Sequence, residues 1–405
     1  MNERPCRSAC RLVRSPSARI TRRGLLTAGA ALVAGIASAW GLAPTSYARE
    51  PEKPSAEGVR PFPHVWMAAL HLPRGVAVRA SEWEYVLSRL DGFKFWSAQL
   101  DWNAHDEPGA LARLFARRQI AVISERMYWP PLKAEGQSDI SHGRAGPWDA
   151  SIADRAADNE LHRISAVERM GGRLTYVDVD DPMRNLIHPL WPARFGGGLS
   201  SDEAVDALVR YMLAVQRRRP EVGFFVIVNF PLWGWRGAPS YVGNEFLGDY
   251  HPLLTKILDQ AEKRKAPLKG WTVDFPHEYA LGQLRAPWLA GPPWDPSKVD
   301  WIARILDLER LVKSRGLQFN LVVNDGEAGA KSQADLGRAT LDYLDLYDRR
   351  GGRPHRYIVQ SWFTHPTADE VLPENNPDTL TGLVHSVIQR VDQFRSRASQ
   401  PAQQQ

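Results

Sequence analysis

Residues 176–184 read YVDVDDPMR. Val177 and Val179 alternate with Asp178 and Asp180, which is the period of a strand. Asp181 and Pro182 follow at once, and a proline there stops the strand rather than extending it. Three carboxylates therefore gather where an apolar strand ends. In parallel α/β architectures that is the end at which ligands bind.

Seven other stretches share this form. They are HVWMAALHL from His64, FKFWSAQLDW from Phe93, IAVISERMYW from Ile120 and VGFFVIVNFPLW from Val222, then LKGWTVDFPHEY from Leu268, LQFNLVVNDGE from Leu317 and YIVQSWFTHP from Tyr357. Each holds four to eight apolar-leaning residues, the length of a strand buried on both faces. Helical patterns lie between them: SEWEYVLSRL, with a capping box predicted from Ser81 to Glu84, DEAVDALVRYMLAVQRRR, PSKVDWIARILDLERLVKSRG and SQADLGRATLDYLDLYDRR. A last helix, PDTLTGLVHSVIQRVDQF, follows the eighth strand. Eight strand–helix alternations predict an α/β fold, a single-domain (β/α)8 TIM barrel over residues 60–396. A doubly wound nucleotide-binding sheet would need a glycine-rich first turn, and LHLPRG after the first strand has none.

The ends of the chain read differently. Thr21-Arg22-Arg23-Gly24 precedes an apolar, Gly/Ala-rich run to Ala43, and Ser46-Tyr47-Ala48 offers small residues for cleavage. Residues 1–48 thus read as a twin-arginine (Tat) signal peptide, with the Tat export machinery as partner and a periplasmic or secreted product. Residues 49–59 read as a linker and 397–405 as a disordered tail. The leader holds seven arginines and one glutamate, so of the chain's net charge of +5 about −1 remains without it. That balance gives no reason to expect nucleic acid or stable membrane association after cleavage. Cys6 and Cys10, the only cysteines, also lie in the leader, which excludes disulfide and thiol chemistry from the rest.

Polar and aromatic residues collect at one set of strand ends. Strand by strand they are His71; Asp101 and Trp102; Glu125, Arg126 and Trp129; Asp178, Asp180 and Asp181; Asn229, Trp233 and Trp235; Asp274 and His277; Asn324, Asp325 and Glu327; and Gln360 and Trp362. Flat rings beside acids suit a sugar, whose apolar face stacks while its hydroxyls need acceptors. Trp66, Trp83, Trp96, Trp271 and Trp301 fall inside strands or helices and read as core. A substrate-binding set follows: His71, Asp101, Trp102, Glu125, Trp129, Asn229, Trp233, Asp274, His277, Asn324, Asp325, Gln360 and Trp362. Paired carboxylates are the tools of glycoside hydrolysis, which needs no cofactor.

This rim resembles the (β/α)8 glycoside hydrolases of the large clan that includes cellulases and β-galactosidases. Asp180-Asp181-Pro182 stands where that clan carries Asn-Glu-Pro, Glu327 in NDGEAG stands at its nucleophile position, and Trp362 matches its frequent tryptophan after strand eight. The resemblance implies a polysaccharide or oligosaccharide substrate, with Asp181 as acid/base (Asp180 or Asp178 as alternatives) and Glu327 as nucleophile. Asp178-Val179-Asp180 also resembles the first half of the chitinase Asp-x-Asp-x-Glu series, whose Glu is missing here. Two other readings stay open. His71, Asp178, Asp180 and His277 would be a mononuclear metal set, and a barrel lacking one carboxylate would bind glycans without turnover.

Overall fold

The computed structural model describes residues 62–101, 106–126, 151–188, 198–240, 247–283, 299–324 and 331–399. All lie within one compact unit, Val59–Gln405. Eight parallel strands form a closed barrel in sequence order. They are β1 (His64–Ala68), β2 (Gly92–Trp96), β3 (Ala121–Arg126), β4 (Leu174–Asp180), β5 (Gly223–Asn229), β6 (Leu268–Asp274), β7 (Gln318–Val323) and β8 (Arg356–Val359). β1 closes the ring by pairing with β8, Val65 opposite Tyr357. The (β/α)8 fold expected from the alternation is the fold observed. The leader and linker lie outside the described residues. Among the described residues no helix is long and apolar enough to cross a membrane.

The surrounding helices are α1 (Glu84–Arg89), α2 (Ser97–Asp101), α3 (Asp106–Arg118), α4 (Ser151–Arg169), α5 (Pro182–Ile187), α6 (Ser201–Gln216), α7 (Tyr250–Lys263), α8 (His277–Ala280), α9 (Trp301–Ser314), α10 (Gln333–Arg349) and α11 (Leu380–Ser399). Their apolar stripes face the outside of the sheet, and this annulus is the main core. Each Val, Leu or Ile fully buried there contributes about 1.5–3 kcal/mol. Trp83, Trp271 and Trp301 belong to it, as expected.

Three boundaries differ from the sequence reading. β2 stops at Trp96 and the chain turns directly into α2, so Asp101 ends a helix rather than a strand. β1 stops at Ala68, and His71 lies exposed in the following loop. α11 continues to Ser399, so the first residues assigned to the tail are helical. The capping box expected at Ser81 and Glu84 is also replaced. Residues Ala80–Trp83 form a 3-10 turn without a side-chain cap, and Glu374 accepts from the backbone N–H groups of Tyr85 and Val86 at 2.9 and 2.8 Å.

Inside the ring a small apolar layer of Trp66, Ile123, Phe225, Val322 and Ile358 fills the lower half. Gly92 makes room for it, because a Cβ there would stand 2.5 Å from the Trp66 indole nitrogen. Gly92 therefore faces inward, and by the two-residue period Lys94 and Trp96 share that face. The upper interior is polar.

Candidate active site

Lys94 is the hub of that polar interior, and its side chain has no exposed surface. Its Nζ lies 2.5 Å from Glu125 Oε2 and 3.0 Å from Asp178 Oδ2, and donates to Gln360 Oε1 at 3.3 Å. Burial alone would pull the ammonium down, but the Asp178 and Glu125 carboxylates hold it above its ordinary range. Glu125 also accepts the indole N–H of Trp96 at 3.0 Å. Burial pushes the Glu125 carboxyl up to about 8, Lys94 opposes this, and Asp180 adds to it.

The chain of bonds continues downward. Thr272 Oγ1 donates to Asp178 at 3.2 Å and accepts from Asn320 at 3.2 Å, and Asn320 accepts from Arg356 at 3.3 Å. Arg356 lies over the Trp66 ring at 4.7 Å, at the base of the barrel. A cavity of about 660 Å³ opens at that base, between His64, Asp91, Tyr176 and Arg356, and none of the β4 acids lines it.

Above Lys94, β4 delivers its acids in two directions. Asp178 and Asp180 share the inward face. Asp178 is wholly buried, whereas Asp180 is only partly so, at the mouth. Burial raises the Asp180 carboxyl, against the nearby Arg184 and Lys94 charges. Asp181 takes a left-handed backbone, φ 39°, where the chain turns into α5 with Pro182 in its first turn. A non-glycine residue held there costs on the order of 1–3 kcal/mol, and such strain collects at functional sites. The Asp181 side chain is 1% exposed, with Oδ2 3.1 Å from Arg184 Nε. Burial pushes it up to about 7, Arg184 pulls it down and Asp180 pushes it up again.

β6 and β7 complete the floor. Asp274 ends β6 and accepts from Asn324 Nδ2 at 2.9 Å. Burial raises Asp274 to about 6, the Asn324 hydrogen bond opposes this, and the Asp180 charge reinforces it. Asn324 is wholly buried, and its Oδ1 has no hydrogen-bond partner among the described residues. Asn229, at the end of β5, pairs in register with Asp274. Trp362 lies beside Trp96 with ring centroids 5.1 Å apart, and Trp96 itself is buried, as expected of a core residue.

The structure thus brings together Glu125, Asp178, Asp180, Asp181, Asn229, Asp274, Asn324, Gln360 and Trp362. Others it places elsewhere. Trp233 is fully buried against Tyr250 at 5.0 Å and offers no stacking face, and Trp235 is buried with its N–H on Asp307. The His277 ring turns to Tyr343 of α10 at 5.5 Å, and His71 is in its exposed loop. Trp102, Trp129, Asp325, Glu327 and the Asp101 side chain lie outside the described residues. Sequence reasoning missed Lys94, Thr272 and Arg184. A lysine inside the doubly buried run GFKFW was the available signal, since such a charge needs a buried partner. Among the described residues no three Asp, Glu, His or Cys side chains converge as a metal site.

No protein-family profile matches the chain, and no curated protein matches it in sequence. Among solved structures it is similar to a glucosidase from Croceicoccus marinus, at 12% identity over 80% of this chain and 67% of that one, TM-score 0.43. It is similar to a GH30 endoxylanase from Clostridium papyrosolvens at 8% identity, over 82% and 72% of the two chains, TM-score 0.46. A chitinase domain from Pyrococcus furiosus gives 14%, 84%, 98% and 0.39 in the same order. Likeness this distant leaves the chemistry to be argued from the side chains.

Proposed function

We propose that this barrel is a glycoside hydrolase acting on a polysaccharide or oligosaccharide. The observation that supports it best is Asp180: an inward-facing carboxyl at the C-terminal mouth, partly exposed, with burial favouring its protonated form. Glycoside cleavage needs such an acid to protonate the leaving oxygen, and a second carboxylate to attack or to activate water. Asp180 is the better placed acid on β4, because Asp181 is buried against Arg184 and Asp178 against Lys94. Glu327, beyond the end of β7, is the proposed nucleophile. Glu125 and Asp178 with Lys94 make the floor, and the half-buried Trp362, packed on the buried Trp96, offers an aromatic edge for a sugar ring.

The test is a screen of the purified protein on a polysaccharide panel, read by released reducing ends. On poor leaving groups Asp180→Asn is expected to lower the rate on the order of 10²–10⁴-fold, the scale of general acid catalysis. Asp181→Asn should cost less and chiefly move the acid limb of the pH profile. The reverse ranking would return the acid role to Asp181. Turnover of no glycan would overturn the enzyme reading, and EDTA sensitivity reversed by a divalent ion would move the chemistry to a metal.

A further inference from the structure

The described floor holds five carboxylates, Glu125, Asp178, Asp180, Asp181 and Asp274, against two cations. Both cations are engaged: Lys94 with Glu125 and Asp178, and Arg184 with Asp181. Asp180 and Asp274 are left with no cation at ion-pair distance among the described residues. Beside Asp274 stands a second, independent demand. Asn324 is wholly buried and directs its amide N–H to Asp274, while its Oδ1 has no partner among the described residues. A buried acceptor without a donor costs on the order of 1–3 kcal/mol until something supplies one.

We propose that the glycan recognised here carries a free amino group, bound as an ammonium against Asp274 and Asn324. This rests on the glycan-hydrolase reading of the same site and names its substrate class, the deacetylated amino sugars. An ammonium brings three donors and no acceptor, which fits a carboxylate and an orphan amide oxygen side by side. It also sets a positive charge beside Asp274, which has no cation at ion-pair distance among the described residues. The alternatives fit less well. A hydroxyl satisfies Asn324 but leaves Asp274 uncompensated. An N-acetyl group offers one N–H and sets a methyl against acids. A uronate adds a sixth carboxylate to a crowded floor. Burial raises the Asp274 carboxyl and the Asp180 charge adds to it, and an incoming cation would oppose both.

The experiment is calorimetric titration of the purified chain with glucosamine and galactosamine oligomers, their N-acetylated forms of equal length, and glucose and galacturonate oligomers. The free-amine oligomers are expected to bind at least about tenfold tighter than the acetylated ones, the low end for a close charge pair. Asp274→Asn should erase that difference and Asp274→Glu keep part of it. Because the main contrast is between ligands on the unaltered protein, it survives a variant that fails to fold. Equal or tighter binding of acetylated, neutral or acidic oligomers overturns the proposal. Cleavage of a neutral oligomer with no amine preference overturns it while the hydrolase reading stands. Preferential binding of free amines without turnover does the reverse, and binding of no oligosaccharide overturns both.

Discussion

Lys94 sets a single ammonium, held by two acids, in the barrel interior. A buried ion pair adds little over apolar packing, but removing one partner strands the other charges. Lys94→Met is therefore expected to lower stability by about 3–5 kcal/mol, measured by denaturant unfolding. Adding Glu125→Gln should recover part of that loss, since one stranded charge disappears. No recovery would mean that the lysine acts by filling space. Sequence pattern exposed Asp178 and Asp180 because they alternate with valines and precede a proline. It did not expose Lys94, because GFKFW carries bulky or apolar residues on both faces and gives no alternation to orient the lysine. Nor could it place Asp181, whose direction depends on a left-handed turn and on Arg184 three residues later.

The strands themselves were legible, since a buried run of Val, Ile and Phe ends where polar residues begin. The overrun in β2 has a local cause: SAQLD is as apolar as a strand tail, yet it coils into α2, and Gln99 bonds back to Trp96 N at 3.0 Å. Helix starts were legible when capped locally. Ser200 and Glu203 form a reciprocal box at α6. α1 is the exception, because its capping carboxylate comes from Glu374, which no local pattern reveals. Glu374→Ala should cost about 0.5–2 kcal/mol, the range for a lost cap, whereas Ser81→Ala should be nearly neutral. Equal effects in thermal or denaturant melts would restore the Ser81 box.

Across the whole molecule, groups titrating near neutrality pull stability in two directions. Glu125, Asp181 and Asp274 have folded values of about 8, 7 and 6, all raised by burial. Their contribution is fully present below the unfolded value of about 4 and is lost as pH rises through the folded ones. His355 is lowered to about 4 by burial, with Lys313 and Arg356 adding to it, and burial also lowers His277. Their contribution is present above about pH 6.5 and lost on acidification. Above that point only the carboxyls still act, so the melting temperature should fall between about pH 6.5 and about 8.5. Asp181→Asn should make that fall shallower, and a flat or rising wild-type profile would contradict these assignments.

The bonded file from Arg356 through Asn320, Thr272 and Asp178 to Lys94 joins the underside of the barrel to its mouth. In most barrels an apolar plug insulates the two, so one face can drift or be redesigned while the other keeps its chemistry. Here the insulation is breached along one side. A change at Arg356 reaches Asp178 through only two side chains, Asn320 and Thr272, so selection on the scaffold's foot is also selection on its acidic mouth.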